Sequence, residues 1–313
     1  MPEQQNKIAL IWDFDKTLIP EYMQAPLFDK YGIDQKVFWD EVNSIPVKLE
    51  KSGYRVNKEI YYLNHILTYI KQDRLNGLDN KTLKELGKKI DFFPGVLDFF
   101  PKIKEIIEKN AEFSSFDIEI EHYIISTGLA EMIKGSDIAP FVCDIWGCEY
   151  LEEPDSEGKK TLSQIIYSID NTTKTKAIFE INKGVNKHPE YINVNSLLSE
   201  EERRIPFCNM IYIADGPSDI PVFSVVKRNG GLTYAVYKQG DEKSFEQADN
   251  LRVDGRIHMY GPANFEEDSQ TSNWLILQVK NIAKRIVESK KSIYTKAGSR
   301  IPAHIVDEIS NNN

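Results

Sequence analysis

Residues 7–17 read Lys-Ile-Ala-Leu-Ile-Trp-Asp-Phe-Asp-Lys-Thr, and the fold follows from this stretch. The first six residues form a short, nearly continuous apolar run of the kind that makes a strand covered on both faces, as in a parallel sheet. The run stops at Asp13. Asp13 and Asp15 are two apart, and in extended geometry such residues point to one side. Two carboxylates brought together repel, and one takes up a proton unless a cation relieves the repulsion. With a bound divalent ion, Asp13 can stay ionised as a nucleophile while Asp15 shuttles a proton as general acid and base. Thr17 can hydrogen-bond locally and fix the loop, and it is also a candidate phosphate-binding residue.

Moving outward, residues 20–91 are polar, rich in Lys, Glu, Asn and Tyr, and mostly helical in pattern. Within 58–70, Ile60, Leu63, Leu67 and Ile70 recur at helical spacing, and 82–90 reads as a short helix. From Pro94 a helix carries Val96, Leu97, Phe100, Ile103, Ile106 and Ile107 on its apolar face. Residues 119–126 predict a second strand leading into Ser126-Thr127-Gly128. Residues 141–150 predict a strand followed by an exposed turn, and 174–182 a helix stopped by Gly184. A polar connection spans 185–208. Residues 209–214 predict a core strand ending at Asp215-Gly216, 217–227 a helix, Gly230-Gly231 a turn and 232–237 another strand. Residues 252–262 read as a polar-aromatic loop in which the lone His258 satisfies a local hydrogen bond, with a ligand role as the alternative. Leu275, Val279, Ile282 and Ile286 form an amphipathic stripe, with Thr271 or Ser272 as its cap. Residues 310–313 are expected to fray.

Strands alternating with helices imply an α/β fold, a doubly wound, mostly parallel sheet with helices on both faces. Sites in such sheets lie beyond the carboxyl ends of the strands. Residues 20–91 interrupt the alternation and predict a mainly helical cap domain set over the site. The core is then discontinuous, 1–19 and 92–292, with 293–313 as a tail.

The other strand ends carry chemistry too. Ser126 presents a hydroxyl, and Gly128 lets the backbone approach an anion. Asp215-Gly216-Pro217-Ser218-Asp219 adds two carboxylates at a third strand end. Hard oxygen ligands in a cluster suit Mg2+ better than zinc. Lys176, at a helix start, can neutralise the nucleophile and a phosphate together; Lys174 competes for that role.

The ordered set of Asp13-Phe14-Asp15-Lys16-Thr17, strand-end Ser126, helix-start lysine and Asp215-Gly216-Pro217-Ser218-Asp219 resembles the haloacid dehalogenase superfamily of phosphatases. The wording Asp215 to Phe223 and the cap between the first and second motifs are most similar to its phosphoserine-phosphatase-like branch. The resemblance covers about residues 7–237 and implies a Rossmann-like core. It implies Asp13 as nucleophile and metal ligand, and Asp15 as acid/base with its backbone carbonyl on the metal. It implies Ser126, with Thr127 and Gly128, as phosphate-binding, and Lys176 as the charge-balancing lysine. Asp215 would be the downstream metal ligand and Asp219 a support for the lysine or the metal shell. A Glu and an Arg in the cap of phosphoserine phosphatases read the amino acid; Glu21 and Arg55 are the candidates here. The branch usually has Gly before the third-strand Asp, where this chain has Ala214. Dehalogenases lack the second carboxylate, so Asp15 points to phosphoryl chemistry.

Composition agrees with a globular chain: 313 residues, 41% hydrophobic and 28% charged. A net charge of −9 argues against a general nucleic-acid binder. Three cysteines, Cys143, Cys148 and Cys208, make no disulfide framework. The N-terminal residues show no signal-like apolar stretch, and no apolar run approaches membrane-spanning length. The expectation is a cytoplasmic, Mg2+-dependent phosphomonoester hydrolase working through an aspartyl-phosphate on a small phosphate ester, with no nucleic-acid or membrane partner. A phosphotransferase or mutase of the same superfamily, or a catalytically silent binding protein on this fold, is the alternative.

Overall fold

The computed structural model describes residues 4–154 and 158–298. At its centre, β1 (Lys7–Trp12) lies parallel to both β2 (Glu119–Leu129) and β5 (Met210–Ala214). Beyond β2 come β3 (Asp144–Pro154) and β4 (Lys160–Tyr167); beyond β5 come β6 (Leu232–Tyr237) and β7 (Met259–Pro262). Every neighbouring pair is parallel except β3 with β4. The sheet is the expected doubly wound α/β core. After β1 the chain builds outward through β2 and β3, then returns to lay β5 on the other side of β1. The strand order reverses there, and a crevice opens at the carboxyl ends of β1 and β5.

Both faces of β1 are buried, which is why its sequence is apolar without interruption. Ile8, Leu10 and Trp12 face a core that includes Phe99, Phe100 and Ile103 of α5 (Val96–Glu108) and Leu275 and Val279 of α11 (Gln270–Gly298). Ala9 and Ile11 face Ala177, Ile178 and Ile181 of α8 (Lys174–Lys183) and Val222, Phe223 and Val226 of α9 (Ile220–Arg228). Burying each large aliphatic side chain contributes about 1.5–3 kcal/mol. The strand end that carries Asp13 is therefore held from both sides.

Residues after β1 form α1 (Ala25–Tyr31), α2 (Gln35–Lys51), α3 (Tyr61–Lys71) and α4 (Asn80–Gly87). The Asp34 side chain caps α2 by accepting from Val37 N at 3.1 Å, and that of Asp79 caps α4 by accepting from Thr82 N at 2.7 Å. This insertion is tied to the sheet at two places. First, α4 crosses α7 (Ala130–Gly135) closely: a Cβ on Gly135 would collide with the Lys84 carbonyl, and one on Gly87 with that of Met132. Second, the β3–β4 hairpin reaches up to it. Leu162 N donates to Leu78 O at 3.0 Å, and Tyr150 Oη to Leu63 O at 2.7 Å.

Three stretches differ from the expectation. β3 runs on to Pro154, into the stretch after residue 150 expected as an exposed turn, and residues 160–167, for which no element was expected, form the antiparallel edge strand β4. Part of the expected 252–262 loop is β7; Arg252 and Val253 end α10 (Glu242–Val253). His258 Nδ1 accepts from Thr233 N at 3.1 Å, a local structural bond as expected. The boundary of the expected tail at 293 falls inside α11, and residues 299–313, with the expected fraying of 310–313, lie outside the described residues. Among the described residues, no helix is long and apolar enough to cross a membrane.

His122 on β2 is fully enclosed. Trp12 Nε1 donates to its Nδ1 at 3.2 Å, so the proton sits on Nε2, 3.3 Å from the Phe100 carbonyl. Burial lowers its pKa to about 3. The unfolded chain takes up a proton near pH 6.5, whereas the folded chain does so only near 3, so this contribution to stability falls as pH drops through that window. Going from pH 7 to 5 is expected to cost about 2 kcal/mol through this residue. Urea unfolding at the two pH values checks it, with His122→Gln expected to flatten the dependence. In the same assay Gly135→Ala is expected to destabilise by about 1–3 kcal/mol, because backbone must move to admit the methyl group.

Candidate active site

The end of β1 is fixed before any side chain is considered: Asp13 N donates to Ile213 O of β5 at 2.9 Å. A tight turn follows, with Thr17 N and Leu18 N both donating to Phe14 O at 3.3 and 2.9 Å. Lys16 takes a left-handed backbone with φ of 60°, a conformation that costs energy for a residue with a Cβ. Phe14 points into the core, while Asp13 and Asp15 both line a cavity of about 890 Å³. The alternation read from Asp-Phe-Asp is thus present.

Opposite Asp13 stands Lys174, the first residue of α8. Its buried ammonium donates to Asp13 Oδ1 at 2.6 Å and to Asp219 Oδ1 at 2.7 Å. Asp219 also accepts from Tyr212 Oη at 2.6 Å and Ser218 Oγ at 2.9 Å. Thr17 Oγ1 donates to Asp13 Oδ2 at 3.2 Å. The lysine at this centre is therefore Lys174, and the expectation of Lys176 is corrected. Lys174, Ala177, Ile178 and Ile181 share the buried face of α8. Lys176 falls off that face, exposed, 3.4 Å from Glu180 one turn on.

Four carboxylates gather here around one buried ammonium. Burial, opposed by Lys174 and reinforced by the Asp219 charge, raises Asp13 to about 6. Burial, then the charge of Asp13, raises Asp15 to about 7. Burial and the charges of Asp13 and Asp219 hold Asp215 well above the usual carboxylate range. Burial opposes the charged form of Lys174, but the Asp13 and Asp219 carboxylates outweigh it and hold it above the usual lysine range. Oxygens of Asp13, Asp215 and Asp219 lie within 4.8 Å of one another. This hard-oxygen set, with its excess negative charge, fits a divalent cation such as Mg2+. Asp13 and Asp215 have the most capacity for it, since Asp219 already accepts three hydrogen bonds. The Asp15 carboxylate stands outside this trio and accepts from Met23 N at 2.8 Å.

The remaining predicted residues are spread more widely. Thr17 is fully buried beneath Asp13 and does not line the cavity. Ser126, Thr127 and Gly128 lie within a bulged part of β2, not in a loop after it. Thr127 and Gly128 line the cavity; Ser126 is buried behind it, and its Oγ accepts from Gly128 N at 3.0 Å. That bond occupies the Gly128 N–H, so this amide is not free for an anion. Glu21 sits exposed on the rim, 3.6 Å from Lys238. Arg55 is exposed and outside the cavity lining.

No family model matches the chain. An uncharacterized protein of Borreliella burgdorferi is 39% identical over 293 residues, spanning 89% of this chain and 99% of that one. The chain belongs to one family with that protein. Among solved structures, it is similar to a haloacid dehalogenase family hydrolase from Salmonella enterica serovar Typhi (TM-score 0.49, 16% identity, covering 83% of this chain and 67% of that one). It is also similar to a phospho-aspartyl intermediate analogue of phosphoserine phosphatase (TM-score 0.48, 14% identity, covering 86% and 97%). At these scores and identities nothing about activity passes from those proteins to this chain.

Reasoning from sequence missed Gln24 and Trp39, which line the cavity from the N-cap position of α1 and from α2. Trp39, Val42 and Asn43, spaced as one helix face, were the available signal. The lysine assignment has a direct check. Lys174→Met is expected to destabilise the fold by about 3–5 kcal/mol, because it strands buried carboxylates. Lys176→Met is expected to change stability by less than about 0.5 kcal/mol. Urea denaturation of both variants measures the difference.

Proposed function

We propose that this chain is a Mg2+-dependent phosphomonoester hydrolase of the haloacid dehalogenase type, working through an aspartyl-phosphate on Asp13. The observation that carries the reading is the cluster of Asp13, Asp215 and Asp219 about the buried Lys174, which bonds two of them, with Asp15 lining the same cavity at the carboxyl ends of β1 and β5.

In the first half-reaction an Asp13 oxygen forms a bond to phosphorus as the bond to the ester oxygen breaks, and the proton of Asp15 passes to the departing alkoxide. In the second, water attacks the phosphoryl group, its proton goes to Asp15, and phosphate leaves as the Asp13 carboxylate re-forms. Burial favours a protonated Asp15 near neutral pH, as an acid for the first half requires. Lys174 and Thr17 hold the two oxygens of Asp13 in one orientation. Tyr212 and Ser218 position Asp219, which in turn positions Lys174. Asp13 and Asp215, with the Asp15 carbonyl as a further ligand implied by the resemblance, would hold Mg2+, which would supply electrostatic stabilisation of charge on the transferring group.

The helices of 20–91 serve as a cap that helps keep water from the site during the first half. The substrate is a small phosphate ester. A cytoplasmic setting belongs to the same reading and is supported by three free cysteines. Asp13→Asn is expected to abolish Mg2+-dependent release of p-nitrophenol from p-nitrophenyl phosphate. Asp15→Asn is expected to slow it by about 10²–10⁴-fold. Substantial turnover by Asp13→Asn would remove the proposal.

A further inference from the structure

Among the described residues, Gln5, Lys16, Asp73, Asp117 and Asp268 have a positive φ without being glycine. Of these, Lys16 is the one in the wall of the cavity that holds Asp13 and Asp15. Its φ of 60° suits glycine, and a side chain there costs energy. A strained residue in such a place is retained for what its side chain does. Lys16 is exposed, and its Nζ donates to Tyr22 Oη at 2.9 Å and lies 4.3 Å from the centre of that ring. Tyr22 also lines the cavity, and its ring packs 5.1 Å from that of Trp39. The ammonium is thus held in place, and one neutral hydroxyl leaves it with N–H donors unused.

Five lysines line the cavity. Lys174 is bound to Asp13 and Asp219, Lys58 stands 2.8 Å from Glu50, and Lys238 stands 3.6 Å from Glu21. Lys16 and Lys243 make no ion pair among the described residues. Of these two, Lys16 is the one fixed by a neighbour. Burial works against its charge, but the Tyr22 hydroxyl, then the Asp215 and Asp15 carboxylates, outweigh it and raise the lysine above its usual range. Its charge is therefore felt at the acidic end of the cavity, although it bonds to neither carboxylate.

Position says which part of an ester this cation meets. Lys174 reaches Asp13, where the phosphoryl group goes. Lys16 directly follows Asp15, the acid that serves the departing oxygen, and Tyr22 belongs to the insertion after β1. The leaving alcohol lies on this side. The carboxylates of the wall outside the phosphoryl site are engaged: Glu21 by Lys238, Glu59 by Asn171 N at 2.8 Å, and Asp241 by Lys243 N and Ser244 N at 3.0 and 3.2 Å. That part of the wall has cationic charge to spare, in a chain of net charge −9. An anionic group on the alcohol meets an open partner there, whereas an ammonium meets none.

We propose that Lys16, set by Tyr22, is a specificity-determining cation that binds a second anionic group, a carboxylate or a further phosphate, on the leaving alcohol of the substrate. This rests on the phosphatase reading above.

The test is kcat/KM with Mg2+ for wild type, Lys16→Met and Lys16→Gly on two matched sets of esters. One set is glycerol phosphate, phosphoglycerate and phosphoserine, whose leaving alcohols are neutral, anionic and zwitterionic. The other is fructose monophosphate and fructose bisphosphate. Wild type is expected to prefer the anionic member of at least one set by about tenfold or more, phosphoglycerate for a carboxylate and the bisphosphate for a second phosphate. Both variants are expected to lose that preference, with a much smaller fall on the neutral member. With Mg2+ present, Lys16→Gly is expected to unfold at a higher urea concentration than Lys16→Met, because glycine accepts the left-handed backbone. Preference for a neutral ester or for phosphoserine, a preference that survives in the variants, or an equal loss on neutral and anionic esters would overturn the assignment, the last by placing Lys16 on the transferring phosphoryl group. Equal urea midpoints would remove the strain that singles Lys16 out and overturn it too. Turnover of esters with any of these outcomes removes this inference alone; no turnover of any ester removes the phosphatase reading and this inference with it.

Discussion

Like charges forced together at the ends of two adjacent strands are the constraint on which the rest of the structure depends. β1 and β5 are neighbours because the chain reverses direction of growth between them, and both end in aspartate. Nothing apolar can hold such a cluster. Lys174 does, bridging Asp13 and Asp219 with its ammonium buried. The lysine is itself costly to bury, and it is kept charged by the carboxylates it joins. The arrangement is therefore mutual, and one ammonium still leaves an excess of negative charge for a cation to balance.

Precision at this point comes from the core beneath it. β1 is buried on both faces, and Asp13 inherits its position from a strand that cannot shift without disturbing two helix layers. The buried Phe14 sets Asp15 back toward the same cavity, and the left-handed Lys16 then turns the chain away. The insertion that follows is stitched back to the sheet through the glycine contact of α4 with α7 and through the β3–β4 hairpin. Together these set Gln24 and Trp39 in the wall of the cavity that holds the carboxylates.

Much of this was legible in the sequence, for a physical reason. Strands buried on both faces write themselves as apolar runs, and β1, β2, β5 and β6 were found where such runs end in polar residues. β4 escaped because one edge strand of mixed burial, Lys160–Tyr167, leaves no such run. β7 escaped because it is four residues long and ends in proline. α10 escaped because only Ala248 and Leu251 of its residues are buried, too few to mark a stripe. The lysine was misassigned by two positions, although the period of Ala177, Ile178 and Ile181 selects Lys174. The bonds of Asp219 to Tyr212 and Lys174, and of Gly128 N to Ser126 Oγ, are tertiary or bulge geometry that spacing alone does not contain.

The central claim is that a phosphoryl group is carried covalently by Asp13. It is tested most directly by acid-quenching the enzyme during turnover of a phosphomonoester with Mg2+ and mapping the digested chain by mass spectrometry. The expected result is one added phosphoryl group on the peptide that contains Asp13, present only when both substrate and Mg2+ are supplied. A phosphoryl group on any other residue, or turnover at full rate with Asp13 unmodified at every quench time, would contradict it.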